Sequence, residues 1–229
     1  MKTIGLIGGL SWESSAEYYR LINRAVRVRR GGLHAANIVM HSLDFAPVAA
    51  LQAAGDWAAL DEAMVEASRA LERAGADMLL ICSNTMHRCA GAIEAASPLP
   101  LVHIANPVTT AIETAGLRRV GLLGTAFTME QDFYKGRMAE AGLDVVVPDA
   151  AGRAAVHRII YDELVQGVIR DAARAEYRAV IDALVERGAQ AIVLGCTEIM
   201  LLVGPDDSAV PRFDTLTLHV EAAVADALS

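Results

Sequence analysis

Cysteine is scarce in this chain: Cys82, Cys89 and Cys196 are the three present in 229 residues. An odd, sparse set excludes a disulfide framework and fits a reducing compartment, so a cytoplasmic protein is expected. Basic residues are outnumbered, 20 Lys and Arg against 28 Asp and Glu, for a net charge of -8. That balance excludes the basic patch of a nucleic-acid protein. No apolar run reaches the roughly 18 residues of a membrane span. The first residues read as a strand entering a glycine turn, not as a signal peptide, since Glu13 comes early and no small-residue cleavage site follows. His41, His87, His103, His157 and His219 lack metal-ligand spacing. Neither G-x-G-x-x-G nor a P-loop pattern is present, so Gly8-Gly9 does not announce a dinucleotide fold. Aromatic residues make up only 5%.

Apolar residues, by contrast, make up 54% and charged residues 21%, enough for a sizeable core. Short apolar runs read as strands at Thr3–Ile7, Asn37–His41, Met78–Cys82, Leu101–Ile104, Val120–Leu123, Val145–Val147 and Ala191–Leu194. Helical patterns alternate with them at Ser14–Arg29, Trp57–Ala74, Glu130–Ala141, Ala154–Val168 and Ala173–Arg187. Such alternation predicts an α/β fold with mostly parallel sheets flanked by helices.

The chain also repeats itself. Ile4–Gly9 aligns with Val120–Thr125, and Gly75–Thr85 aligns with Gly188–Glu198, both without gaps. Two pseudosymmetric lobes are therefore expected, 1–105 and 106–212, with 213–229 returning to the first. The proline of Ala105-Asn106-Pro107 marks the boundary. Ligands of open α/β sheets bind at the carboxyl ends of strands, and all four repeated turns lie there, so the expected site is a cleft between the lobes.

Cys196 follows a buried strand in Leu194-Gly195-Cys196-Thr197-Glu198. Backbone N–H groups at a following helix start lower a thiol pKa, which suits a base or nucleophile. An inert buried cysteine is the competing reading. Ser83 is its counterpart in the repeat, within Cys82-Ser83-Asn84-Thr85-Met86-His87. That polar cluster suits a small polar ligand, and a helix cap equally. Strand alternation turns Cys82 inward if Ser83 faces the site. His87 is read as tuning the site or as structural. Glu198 is within reach of Thr197, a histidine or a substrate amine. Glu163 is also readable as a solvated helix charge, and Asp214-Thr215 as a cap or a wall of the site. The glycine turns carry Leu10, Ser11, Trp12, Ser14 and Ser15 in one half and Thr125, Thr128 and Met129 in the other, where backbone amides can hold a carboxylate.

These motifs together resemble the aspartate/glutamate racemase family over nearly the whole chain. They are Gly8-Gly9-Leu10-Ser11-Trp12-Glu13-Ser14, Asn84-Thr85-Met86-His87, Gly124-Thr125 with Thr128-Met129-Glu130, Gly195-Cys196-Thr197-Glu198, and Phe213-Asp214-Thr215 with His219. The resemblance implies two α/β lobes, no pyridoxal phosphate, no metal, and commonly a homodimer. It implies two cysteines on opposite faces of an amino acid, one removing the α-proton and the other returning one. Cys196 matches the second cysteine, but Ser83 stands at the first. The chain is most similar to the L-aspartate/glutamate-specific branch, which also carries a hydroxyl residue there. The resemblance implies substrate contacts at Leu10 (through its backbone), Gln52, Ser83–Thr85 and the Glu163 region. Asn84, Thr85, Thr125, Thr128 and Thr197 are taken as substrate-binding. The expected activity is cofactor-independent racemisation of L-aspartate or L-glutamate, with Cys196 as base and Ser83 as donor. Two alternatives stay open: a single-cysteine decarboxylase of the same superfamily, and a catalytically weak amino-acid-binding homologue.

Overall fold

Ile4-Gly5-Leu6-Ile7-Gly8 holds no polar side chain, as a parallel strand covered on both faces requires. The computed structural model of the chain, residues 1–229, makes this segment strand β1 (Ile4–Gly8), buried along its whole length. Two compact units result, Met1–Ile104 with His219–Ser229, and Ala105–Leu218.

In the first unit β1 is followed by α1 (Trp12–Arg30), β2 (Ile38–Ser42), α2 (Phe45–Ala54), α3 (Trp57–Arg73), β3 (Met78–Ile81), a 3-10 turn over Thr85–Cys89, and α4 (Ala90–Ala96). Its parallel sheet has the order β2-β1-β3. Ser11 starts α1 by accepting from the Ser14 N–H, Glu13 lies in its first turn, and Arg27, Arg29 and Arg30 lie in its last, each charge matched to the helix dipole. The core packs α3 residues Leu60, Met64, Ala67 and Leu71 against Ile7, Leu79 and Ile81.

The second unit runs α5 (Ala105–Thr114), β4 (Arg119–Gly124), α6 (Ala126–Glu130), α7 (Asp132–Glu140), β5 (Asp144–Val146), α8 (Ala150–Asp162), α9 (Asp171–Glu186), β6 (Ala191–Gly195), α10 (Ile199–Leu202) and β7 (Arg212–Asp214). Its sheet has the order β5-β4-β6-β7, again all parallel. α11 (Thr215–Leu228) begins in this unit and ends in the first. The sequence repeat is thus structural: β1 and β3 pair as β4 and β6 do.

Several boundaries differ from the sequence reading. The expected strand Leu101–Ile104 shrinks to one bridge between Leu79 and Leu101. Beyond it, imidazoles take the backbone groups that a ladder would use: His219 bonds the Val102 carbonyl and His87 the Ile104 N–H. Pro107 does not break the pattern; it sits in the first turn of α5, where a missing N–H costs nothing. The helix expected over Glu130–Ala141 is two helices, because Gln131 is extended (φ -90°, ψ 157°). That expected over Ala154–Val168 ends at Asp162, where Glu163 leaves helical geometry (φ -129°). The chain returns to the first unit at His219 and not at residue 213, since β7 is bonded to β6.

The ends of β4 and β6 touch. A methyl group on Gly195 would lie 2.7 Å from the Leu123 carbonyl oxygen, and one on Gly124 would lie 2.8 Å from that of Gly195. Gly195→Ala is expected to destabilise the fold by about 1–3 kcal/mol, the ordinary range of overpacking. Chemical denaturation checks this, and an unchanged midpoint contradicts it.

Candidate active site

The first unit carries a cluster built from serines. At Gly9 (φ +75°) an added Cβ would fall 2.0 Å from the Leu43 carbonyl oxygen, so only glycine fits this turn. Ser15 Oγ accepts from the Gly9 N–H at 2.8 Å and donates to the Ser11 carbonyl at 3.0 Å. Ser14 Oγ donates to the Cys82 carbonyl at 2.9 Å, tying this turn to the end of β3. There Ser83 is half-buried, and its Oγ accepts weakly from the Met86 N–H at 3.4 Å. Asn84 and Thr85 are buried beside it. Gln52, on α2, donates from Nε2 to Met86 Sδ at 3.1 Å, and Leu10 packs in the same core cluster as Met86. Leu10, Gln52, Ser83, Asn84 and Thr85 are thus gathered at the carboxyl ends of β1 and β3. Cys82 is fully buried, and burial pushes its thiol pKa up.

Behind Ser83 lie three buried imidazoles. The Ile104 N–H donates to His87 Nε2 at 3.1 Å, so the ring proton is on Nδ1, which donates to the Ser83 carbonyl at 2.7 Å. His219 Nε2–H donates to the Val102 carbonyl at 2.7 Å, and its Nδ1 accepts from the Tyr18 hydroxyl, also at 2.7 Å. His103 packs on His87 with ring centroids 4.6 Å apart. Burial drives the His219 pKa from an ordinary 6.5 down to about 4. Between those values the unfolded chain binds a proton that the folded one refuses. Stability is therefore full above pH 6.5 and falls as the pH drops toward 4, by about 3 kcal/mol. Urea unfolding across this window is expected to show that loss, and His219→Gln to flatten it; equal slopes in the two proteins contradict the assignment.

The second unit carries its own polar cluster. Thr125 caps α6, its Oγ1 accepting from the Thr128 N–H at 3.3 Å and lying 3.2 Å from Thr128 Oγ1. Thr128 is fully buried and packs its methyl over Gly124 and Gly195. His157 accepts at Nδ1 from the Ala126 N–H, 3.1 Å away, and burial lowers its pKa. Cys196, at the end of β6, is 8% exposed. Its thiol donates to Glu198 Oε2 at 2.9 Å, and the Thr197 hydroxyl donates to the same oxygen at 2.9 Å.

This geometry corrects the expected direction of the thiol pKa. The N–H groups of Thr197 and Glu198 do pull it down, but burial first and the Glu198 carboxylate second push it well above the ordinary value. α10, the helix that follows, has only four residues and adds little dipole. The resting Cys196 is a neutral thiol that donates a hydrogen bond to Glu198. Glu198, expected to reach Thr197, a histidine or a substrate amine, does bond Thr197, and also takes the Cys196 thiol bond, which the sequence does not signal beyond placing a carboxylate two positions after the cysteine. Glu163 is not a solvated charge. It is 7% exposed, its Oε1 lies 3.9 and 3.8 Å from the Arg158 and Arg170 guanidinium groups, and its Oε2 is buried without a hydrogen bond. Asp214 caps α11, accepting from the Leu216 and Thr217 N–H groups.

The family model described as Asp/Glu/Hydantoin racemase matches residues 7–223. The chain belongs to that family. Among solved members, a Yersinia pestis protein provisionally identified as an Asp/Glu racemase is 48% identical, with full coverage of both chains and a TM-score of 0.92. An aspartate racemase homologue from Pyrococcus horikoshii OT3 is 31% identical, again over both whole chains, with a TM-score of 0.86. Glutamate racemase from Francisella tularensis, solved with D-glutamate, shares the fold at 14% identity (TM-score 0.67, covering 99% of this chain and 81% of that one). The paired parallel sheets flanked by helices are those of the Asp/Glu/Hydantoin racemase fold. No helix is long and apolar enough to cross a membrane.

Proposed function

We propose that the protein is a cofactor-independent racemase of acidic amino acids, L-aspartate or L-glutamate, as in the L-aspartate/glutamate-specific branch. One observation carries this reading: in a chain of this family, the strand-end thiol of Cys196 donates a hydrogen bond to a buried carboxylate, Glu198, at 2.9 Å. An amino-acid α-proton is removed only by a strong, oriented base. Movement of the thiol proton onto Glu198 leaves a thiolate, and the thiolate takes the α-proton of the L-amino acid. The Ser83 hydroxyl then delivers a proton to the opposite face, giving the D-amino acid; the Ser83 alkoxide regains a proton from solvent as Glu198 releases the one it took up. Backbone amides of the glycine turns, with Asn84, Thr85, Thr125 and Thr197, hold the carboxylate groups and stabilise the enolate-like charge. Gln52 and the buried Glu163 complete recognition, the latter through the substrate ammonium. Polar surroundings of Ser83 favour this over the decarboxylase, which calls for an apolar pocket in place of two carboxylate sites.

The test is chiral analysis of L- and D-aspartate and L- and D-glutamate incubated with the protein, with no added cofactor. Inversion of at least one acidic amino acid is expected in both directions. Carbon dioxide release from a malonate-type acid without inversion supports the decarboxylase, and binding of an amino acid with no turnover supports the weak homologue.

A further inference from the structure

We propose that His87 is a positioning residue that aims the Ser83 hydroxyl; this rests on the racemase reading above. A side chain leaves its Cα in a direction set by the two peptide planes that flank it. At Ser83 both planes are held. The preceding carbonyl, that of Cys82, accepts from Ser14 Oγ at 2.9 Å. The following carbonyl, that of Ser83 itself, accepts from His87 Nδ1–H at 2.7 Å. The imidazole is itself fixed: it is 2% exposed, His103 packs on its ring, and the Ile104 N–H occupies Nε2. That last bond leaves only one tautomer, with the proton on the nitrogen facing Ser83. Ser83 Oγ has in contrast only the 3.4 Å contact from the Met86 N–H, so side-chain bonding does little to orient it. The backbone clamp does so instead. An alcohol is a weak acid, and it protonates a carbanion efficiently only when held at the right face and distance, where an error of about 1 Å costs roughly 10²-fold.

The two nitrogens can be replaced separately. In His87→Asn the amide nitrogen falls near Nδ1 and still donates to the Ser83 carbonyl, while the acceptor for Ile104 is lost. In His87→Gln the amide oxygen falls near Nε2 and still accepts from Ile104, while the clamp on Ser83 is lost. Two rates are compared in each variant. Racemisation needs both faces. Elimination from the 3-chloro derivative of the L-amino acid that the protein turns over needs only the Cys196 face. The α-proton goes to the Cys196 thiolate, the C–H electron pair forms the Cα=Cβ bond, and the C–Cl pair leaves with chloride. The ratio of elimination to racemisation is unaffected by a misfolded fraction, which lowers both alike.

That ratio is expected to rise about 10²-fold in His87→Gln and to stay within about threefold of the wild type in His87→Asn. Ser14→Ala, which frees the Cys82 carbonyl, is expected to shift it in the same direction as His87→Gln. An unchanged ratio in His87→Gln and Ser14→Ala, or equal ratios in the two His87 variants, overturns the role of His87 alone. A wild-type protein with neither activity overturns the racemase reading and this inference with it.

Discussion

Replacing Cys196 by serine is expected to lower racemisation by about 10³–10⁴-fold, the upper range for loss of an acid/base residue, while leaving the protein folded. Serine has nearly the shape of cysteine, so the pocket formed by Thr197, Glu198 and the core around β6 is preserved. What disappears is the thiol, a stronger acid than an alcohol and the one whose proton Glu198 can take up. Elimination from the 3-chloro-L-amino acid should fall by the same factor, since it requires the same proton abstraction. A Cys196→Ser protein that keeps its elimination rate removes the thiol from the mechanism. Circular dichroism and a denaturation midpoint separate this effect from simple unfolding.

Glu198→Gln is expected to give two changes of opposite sign. The carboxylate holds the thiol pKa up, by its charge and by accepting the thiol proton. Its removal should therefore lower that pKa and increase alkylation of Cys196 by iodoacetamide at neutral pH. Racemisation should nevertheless fall, by about 10²–10³-fold, because the amide has nowhere to put the proton that the thiol must release. A carboxylate that merely packed beside Cys196 predicts the first change without the second. Steady-state racemisation and the pH profile of alkylation, measured on one preparation, check both. Glu198→Asp, with a shorter reach to Sγ, should recover part of the rate.

What the sequence discloses here is periodic or repeated, and what it hides depends on contacts from far along the chain. β1, β3, β4 and β6 are apolar runs next to glycines, and their gapless internal alignment makes Ser83 the repeat counterpart of Cys196. β7 stayed unread because Arg212-Phe213-Asp214 has no apolar run; only its pairing with β6 makes it a strand. α2 was missed because Pro47 interrupts its pattern, although Asp44 caps it and Gly55 ends it. The same division holds in the site. Strand alternation correctly buries Cys82 and leaves Ser83 reachable. Yet the clamp on Ser83 needs Ile104 and Ser14, and the imidazole cluster needs His219 and Tyr18, which no local spacing connects. The sign of the Cys196 shift is hidden from the sequence for a related reason. Nearby N–H groups are visible in a sequence, whereas the depth of burial that outweighs them is a property of the folded unit.

The central claim is that a one-proton base, the Cys196 thiolate, works on one face and a separate one-proton donor, Ser83, on the other. Its most direct test is racemisation started from the protiated L-amino acid in deuterated water, with α-deuterium counted separately in product and residual substrate at early times. The D-product should carry deuterium in every molecule, while the recovered L-pool stays protiated. Deuterium entering both pools at the same rate would place a single exchanging base at both faces, and would contradict the roles assigned to Cys196 and Ser83.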